Sequence, residues 1–169
     1  MQLKETTTEE IGAIVAAKGC RLLAIENAGA GRYSVLRLVL ERAGGEPVTV
    51  EDCESVSREV SALLDASDEI AHRYTLEVSS AGLDRKLYSV EDAERFAGRR
   101  VRVQTREPVT AVASDSGQPA GPPARNFQGV LSRVEGDRLT VVDEQNRRIY
   151  NVRFGDIRVV RLHYSWPER

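Results

Sequence analysis

The sequence predicts an α+β fold in two domains. An N-terminal α-β-β-α-β sandwich is expected over residues 1–88, and a small β-barrel of SH3-like or Sm-like type over residues 89–169. Three observations point there. Before residue 80, two stretches with apolar residues at helical spacing are interleaved with strand-like stretches. In the second half, five short strand-like stretches are separated by tight turns. Between the halves, Tyr74–Leu87 (Y-T-L-E-V-S-S-A-G-L-D-R-K-L) begins as an alternating strand and dissolves into turn formers.

Taken in order, Thr7-Thr8-Glu9-Glu10 reads as a capping box, in which hydroxyl and carboxylate satisfy each other's free backbone N–H groups. Ile11, Ile14 and Val15 share the following helical face, and Gly19 stops the helix after Lys18. Cys20–Glu26 and Tyr33–Glu41 form a hairpin across the glycine-rich turn at 27–32. In its second strand Leu36, Leu38 and Leu40 alternate with Arg37, Val39 and Glu41, giving one dry and one partly wet face. Gly44-Gly45 and Pro47 break the chain, and Thr49 with Asp52 caps a second helix striped by Cys53, Val56, Val60, Leu63 and Leu64. The strand of Tyr74, Leu76 and Val78 follows, so two helices cover one face of a three-stranded sheet.

Ser89 and Asp92 cap a short helix holding Ala93 and Phe96 and ended by Gly98. In the strand Arg99–Glu107, Val101, Val103 and Thr105 alternate with Arg100, Arg102, Gln104 and Arg106. The Pro-, Gly-, Ala- and Ser-rich run at about 111–125 is expected to be a flexible loop. Phe127–Val134, Leu139–Val142 and Arg148–Arg153 are further strands, turned at Gly136-Asp137 and Glu144-Gln145-Asn146. Phe154–Ile157 is a single helical turn, Arg158–Leu162 the last strand, and His163–Arg169 a polar tail in which Trp166 can tuck onto the barrel.

The chain of 169 residues is 41% hydrophobic, enough for packed cores, but only 5% aromatic, so aliphatic side chains must fill them. No stretch approaches the roughly 18 apolar residues of a membrane span, and the N-terminus lacks the apolar core of a secretory signal. Cys20 and Cys53 lie in apolar-periodic segments without C-x-x-C spacing and are expected to be buried, reduced thiols of a cytoplasmic protein. The net charge of −2 divides unevenly. Residues 1–88 carry 10 Lys/Arg against 15 Asp/Glu, a net of −5, and residues 89–169 carry 14 Arg against 11 acids, a net of +3. An acidic half favours basic partners and an arginine-rich half favours phosphate or carboxylate, although two ordinarily solvated surfaces would look the same.

No catalytic constellation is visible. No two glycines are spaced G-x-x-G, so the dinucleotide fingerprint and the KH-domain clamp are both missing, and there is no Walker lysine motif, H-E-x-x-H or G-x-S-x-G. Ala28-Gly29-Ala30-Gly31 leads into a strand, where no helix N-terminus awaits a phosphate. His72 and His163 have no carboxylate or cysteine at metal-ligand spacing, so neither a metal site nor a cofactor is expected.

Two features carry interaction chemistry. The first is a set of arginine rows: Arg100, Arg102 and Arg106 on one strand face, and Arg147, Arg148, Arg153, Arg158 and Arg161 on later strands. Guanidinium groups bind phosphate or carboxylate through paired hydrogen bonds, so such a surface suits RNA backbone or an acidic protein face; a solvated barrel exterior is the plainer alternative. The second is the turn Ser80, Ala81, Gly82, Leu83, Asp84 and Arg85, which can bind a partner or tie the two domains together.

With these residues in view, Glu77–Leu87 (E-V-S-S-A-G-L-D-R-K-L) resembles the signature V-S-S-P-G-L-D-R-P-L of the bacterial ribosome maturation factor RimP family. The resemblance extends to Val50–Val60 in the second helix, and to Phe96–Val103 and Asn126–Leu131 in the C-terminal half. Ala81 and Lys86 replace two usual prolines, which leaves this turn less rigid, and residues 113–124 look like an insertion. The resemblance implies a non-enzymatic, monomeric, cytoplasmic assembly factor for late maturation of the small ribosomal subunit. It implies binding to the free subunit through a basic ribosomal protein, protein twelve of the small subunit. The barrel half would supply that contact, with rRNA nearby. Opposite charge would speed the encounter with a basic protein. A stand-alone Sm-like RNA-binding module is the competing expectation.

Overall fold

The computed structural model describes residues 3–28, 34–82 and 85–163. Helix α1 (Glu5–Ala17) starts before the expected capping box: its N-cap is Lys4, which caps with no side chain of its own, and Thr7 is buried within the first turn. The cap is supplied from a distance. Glu69 accepts from the Lys4 backbone N–H at 3.1 Å and from the Thr7 hydroxyl at 2.5 Å. A box built from adjacent residues is legible in a sequence, whereas a cap supplied from 65 residues away is not. At the other end Gly19, at φ +69, takes the left-handed conformation that closes the helix.

Strands β1 (Cys20–Ala28) and β2 (Ser34–Arg42) pair antiparallel, with an irregularity between Leu22 and Ala24. Helix α2 (Val50–Ser67) opens with the predicted box, Asp52 N–H donating to the Thr49 hydroxyl and Thr49 N–H donating to the Asp52 carboxylate. It then carries the chain to β3 (Tyr74–Ser80), which lies parallel to β2 and gives the sheet order β1-β2-β3. Leu36, Leu38 and Leu40 are fully buried, beside Leu22, Leu76 and Val78, against Ile11, Val15, Val56, Val60 and Leu64 of the two helices. Each leucine so buried contributes about 1.5–3 kcal/mol. Cys20 is buried as expected, but Cys53, near the start of α2, is only half-buried; both are free thiols. On the opposite sheet face, Arg37 stands in register between Glu26 and Glu77, donating to Glu77 at 2.8 Å.

The second half holds α3 (Val90–Arg95), β4 (Arg100–Val109), β5 (Val112–Ala113), β6 (Ala124–Glu135), β7 (Arg138–Asp143), β8 (Arg148–Arg153), a 3-10 turn (Phe154–Asp156) and β9 (Ile157–Leu162). The expected barrel had five strands; among the described residues there is a six-stranded sheet in the order β5-β8-β7-β6-β4-β9, and no ladder there joins β5 to β9 to close it. The extra strand comes from the stretch expected to be a flexible loop. Ala111 is almost wholly buried, Val112 and Ala113 pair with Ile149 and Arg148, and backbone bonds Ala113 to Gln118 and Ala120 to Ala111 fold the rest back on itself. Small residues suit this close packing, so the composition that reads as a linker here serves a compact turn. The core is Val101, Val103, Leu131, Leu139, Val141, Val152 and Val160 with the stacked pair Phe127 and Tyr150, whose rings are 4.0 Å apart and 5° from parallel.

By packing, the chain divides into Met1–Ala81 and Gly82–Arg169, rather than at residue 88 as the sequence suggested. The reason is local. Leu87 belongs to the second core, and its N–H donates to the Val160 carbonyl while Leu162 N–H donates to the Arg85 carbonyl, so residues 85–87 run along β9. The polar tail from residue 164, with Trp166, and the turn residues Leu83 and Asp84 lie outside the described residues.

Candidate functional site

The alternation of β4 buries Val101, Val103 and Thr105 and turns Arg102 and Gln104 outward. Register then assembles a polar surface from three strands. Arg102 lies opposite Gln128 of β6 and Arg161 of β9, and Gln104 lies opposite Asn126 and Val159. Asp143, Asn146 and Arg148, from the β7–β8 hairpin, complete a groove of about 610 Å³, which Phe127 and Tyr150 also line. The Asp143 carboxylate is occupied, accepting from the backbone N–H of Asn146 at 3.2 Å and from its side-chain amide at 2.7 Å. Gly121, at φ +78, gives the Arg148 guanidinium room, since a Cβ there would stand 2.5 Å from its Nη2.

Of the six arginines picked out from the sequence as a partner surface, Arg102 and Arg148 therefore meet in one groove. The others do not join them. Arg100 reaches Glu144 at 3.4 Å, and Arg153 is held by Asp156 at 2.9 Å, whose hydrogen bond and charge raise the arginine pKa further. Arg106 and Arg147 are exposed outside the groove, Arg147 at the left-handed φ of +50. Arg161, one of the row residues, lines the groove as well. What the charge pattern missed is the amides Gln104, Asn126 and Gln128. Their signal was present as Arg102-x-Gln104 and Asn126-x-Gln128, two i, i+2 pairs that project to one face once the strands are paired.

The turn differs between its two ends. Ser80 and Gly82 are exposed, Gly82 at φ +67, and Ala81 N–H donates to the Leu40 carbonyl at 3.1 Å. Arg85, by contrast, is buried: its Nη2 donates to Asp92 at 2.6 Å and its guanidinium carbon stands 4.7 Å from the Phe96 ring centre. Asp92 also accepts from Tyr88 N–H at 3.2 Å, and its own N–H donates to the Ser89 hydroxyl. A guanidinium so enclosed shapes the second unit and is not presented to a partner.

In the first unit, Glu9 and Glu10 of α1 and Glu51 and Glu54 of α2 are exposed. Asp52 is bound by Arg42 at 2.7 and 3.0 Å, and the Thr49 N–H together with that guanidinium holds its carboxyl below the usual aspartate range. Among the described residues no group of three His, Cys, Asp or Glu is placed to hold a metal, and no helix is long and apolar enough to cross a membrane. Residues 10–84, from α1 through the turn after β3, match the family model described as the RimP N-terminal domain.

Proposed function

The chain belongs to the RimP family through its residues 10–84, and from that premise we propose that it is a non-enzymatic assembly factor for late maturation of the small ribosomal subunit. It binds the free subunit or its precursor through a basic ribosomal protein, protein twelve of the small subunit, with rRNA close by. The observation that carries this reading is the family match; the family is one of ribosome maturation factors. The acidity of the first half speeds encounter with a basic protein, while the contact itself is read as the second unit's, with RNA nearby.

The second unit is read as an opened relative of the SH3-like or Sm-like barrel, on the strength of its meandering antiparallel strands and the 3-10 turn before the last of them. In this reading it supplies the protein contact, and the protein works as a cytoplasmic monomer. On a sucrose gradient at low salt the chain is expected to travel with free small subunits or their precursors. Failure to travel with either, or to bind their isolated proteins, would defeat the proposal. A second reading, a stand-alone Sm-like RNA-binding module, is favoured by one observation, the arginine- and amide-lined groove. It predicts that the groove acts on naked RNA without any need for the subunit.

A further inference from the structure

We propose that the outer edge of β3 docks an extended strand of a partner protein, one that carries a basic residue level with Glu77. Sheet edges present unpaired backbone groups and are normally blunted. The edges at β1, β5 and β9 are. β1 has its irregularity between Leu22 and Ala24, β5 is two residues long, and β9 is lined by residues 85–87 through the Leu87–Val160 and Leu162–Arg85 backbone bonds. β3 has none of these devices. Its seven residues run beside β2 without a register shift and include no proline or lysine. Ala81 N–H donates to the Leu40 carbonyl, and alternation along a parallel ladder then turns the N–H and C=O groups of Leu76, Val78 and Ser80 away from β2. Among the described residues no other strand pairs with that edge.

Charge identifies the occupant. On the sheet face away from the helices, Glu26, Arg37 and Glu77 form a row in register, with Arg37 donating to Glu77 at 2.8 Å and standing 3.6 Å from Glu26. The Glu77 side chain, at the open end of this row, is 41% exposed against 20% for Glu26. A further strand that set a lysine or arginine beside Glu77 would continue the alternation of sign through a favourable cross-strand pair. The next side chain of that strand would turn to the other face, into a shallow groove of about 470 Å³ beside α2, where Val78 and Cys53 offer apolar contact and Glu54 lines the wall. Main-chain bonds to an edge, with a groove for alternate side chains, are how strand addition binds peptides. A second copy of this chain fits poorly, since Glu77 is the middle residue of Tyr74–Ser80 and two-fold pairing of β3 would set it against itself. This contact belongs to the first unit and is separate from the subunit contact read for the second.

The test is fluorescence anisotropy of the full chain with a labelled octapeptide of alternating valine and lysine, set against one of alternating valine and glutamate. Two further lysine peptides are N-methylated, one at every valine and one at every lysine. An added strand turns only one of these sets of N–H groups toward β3. One methylated peptide should therefore lose about tenfold or more in affinity, while the other stays within about twofold. Glu77→Gln should weaken the lysine peptide about three- to fivefold, the worth of an exposed ion pair, and Glu9→Gln on α1 should leave it unchanged. Equal loss from both methylated peptides, preference for the glutamate peptide, equal effects of the two substitutions, or no binding overturns the proposal. So does self-association, followed by sedimentation velocity, that the lysine peptide does not dissolve, since a second copy would then fill the edge. Small subunits are absent from every arm, so failure here leaves the assembly reading standing, and failure to travel with subunits leaves the β3 edge standing.

Discussion

The Arg85 and Asp92 side chains are only 5% and 6% exposed, and their 2.6 Å contact lies over the Phe96 ring. Removing one partner of such a pair leaves a desolvated charge, so Asp92→Ala should lower the stability of the second unit by about 3–5 kcal/mol. Urea denaturation checks this, and an unmoved midpoint would show that the pair is not structural. Glu69 acts at the same scale in the first unit. The Thr7 hydroxyl, then the Lys4 N–H, hold its carboxyl below its ordinary range. A depressed folded pKa means that its contribution is complete above the unfolded value and is lost as pH falls through the folded one. The first unit should therefore weaken as pH falls below about 4.5, Asp52 adding in the same direction. Glu69→Gln should be less stable than the parent at neutral pH and lose less on acidification. Equal acid sensitivity of the two, followed by circular dichroism, would contradict the long-range cap.

At the scale of the element, β6 and β7 approach so closely at Gly129 that an added Cβ would stand 2.3 Å from the Val142 carbonyl oxygen, a backbone atom that cannot swing aside. Gly129→Ala should therefore cost about 1–3 kcal/mol, the range of an overpacked core, and thermal unfolding measures it. Wild-type stability would mean that the strands can part freely. Elements whose cause is local were legible in the sequence: the Leu36, Leu38 and Leu40 alternation, the Thr49–Asp52 box and the Ser89 cap all stand where read. Elements whose cause is distant were not. The start of α1 depends on Glu69, and β5 depends on Ile149 and Arg148 across the sheet. The groove was half legible, because the arginines announce themselves by charge, whereas the amides matter only once register sets them beside Arg102.

At the scale of the whole molecule, two compact units divide the charge, the acidic helices in one and the arginine-lined groove in the other. Arg85, the one described residue of the turn that is charged, is committed to the second unit through Asp92. The exposed helix acids and the groove are two charged surfaces open to a partner. The central claim is that these surfaces serve the small ribosomal subunit, and co-sedimentation of the full chain with free small subunits tests it most directly. A complex is expected at low salt, weakening as salt screens both charged surfaces. A chain that stays at the top of the gradient at every salt concentration, with mature subunits and precursors alike, would contradict it.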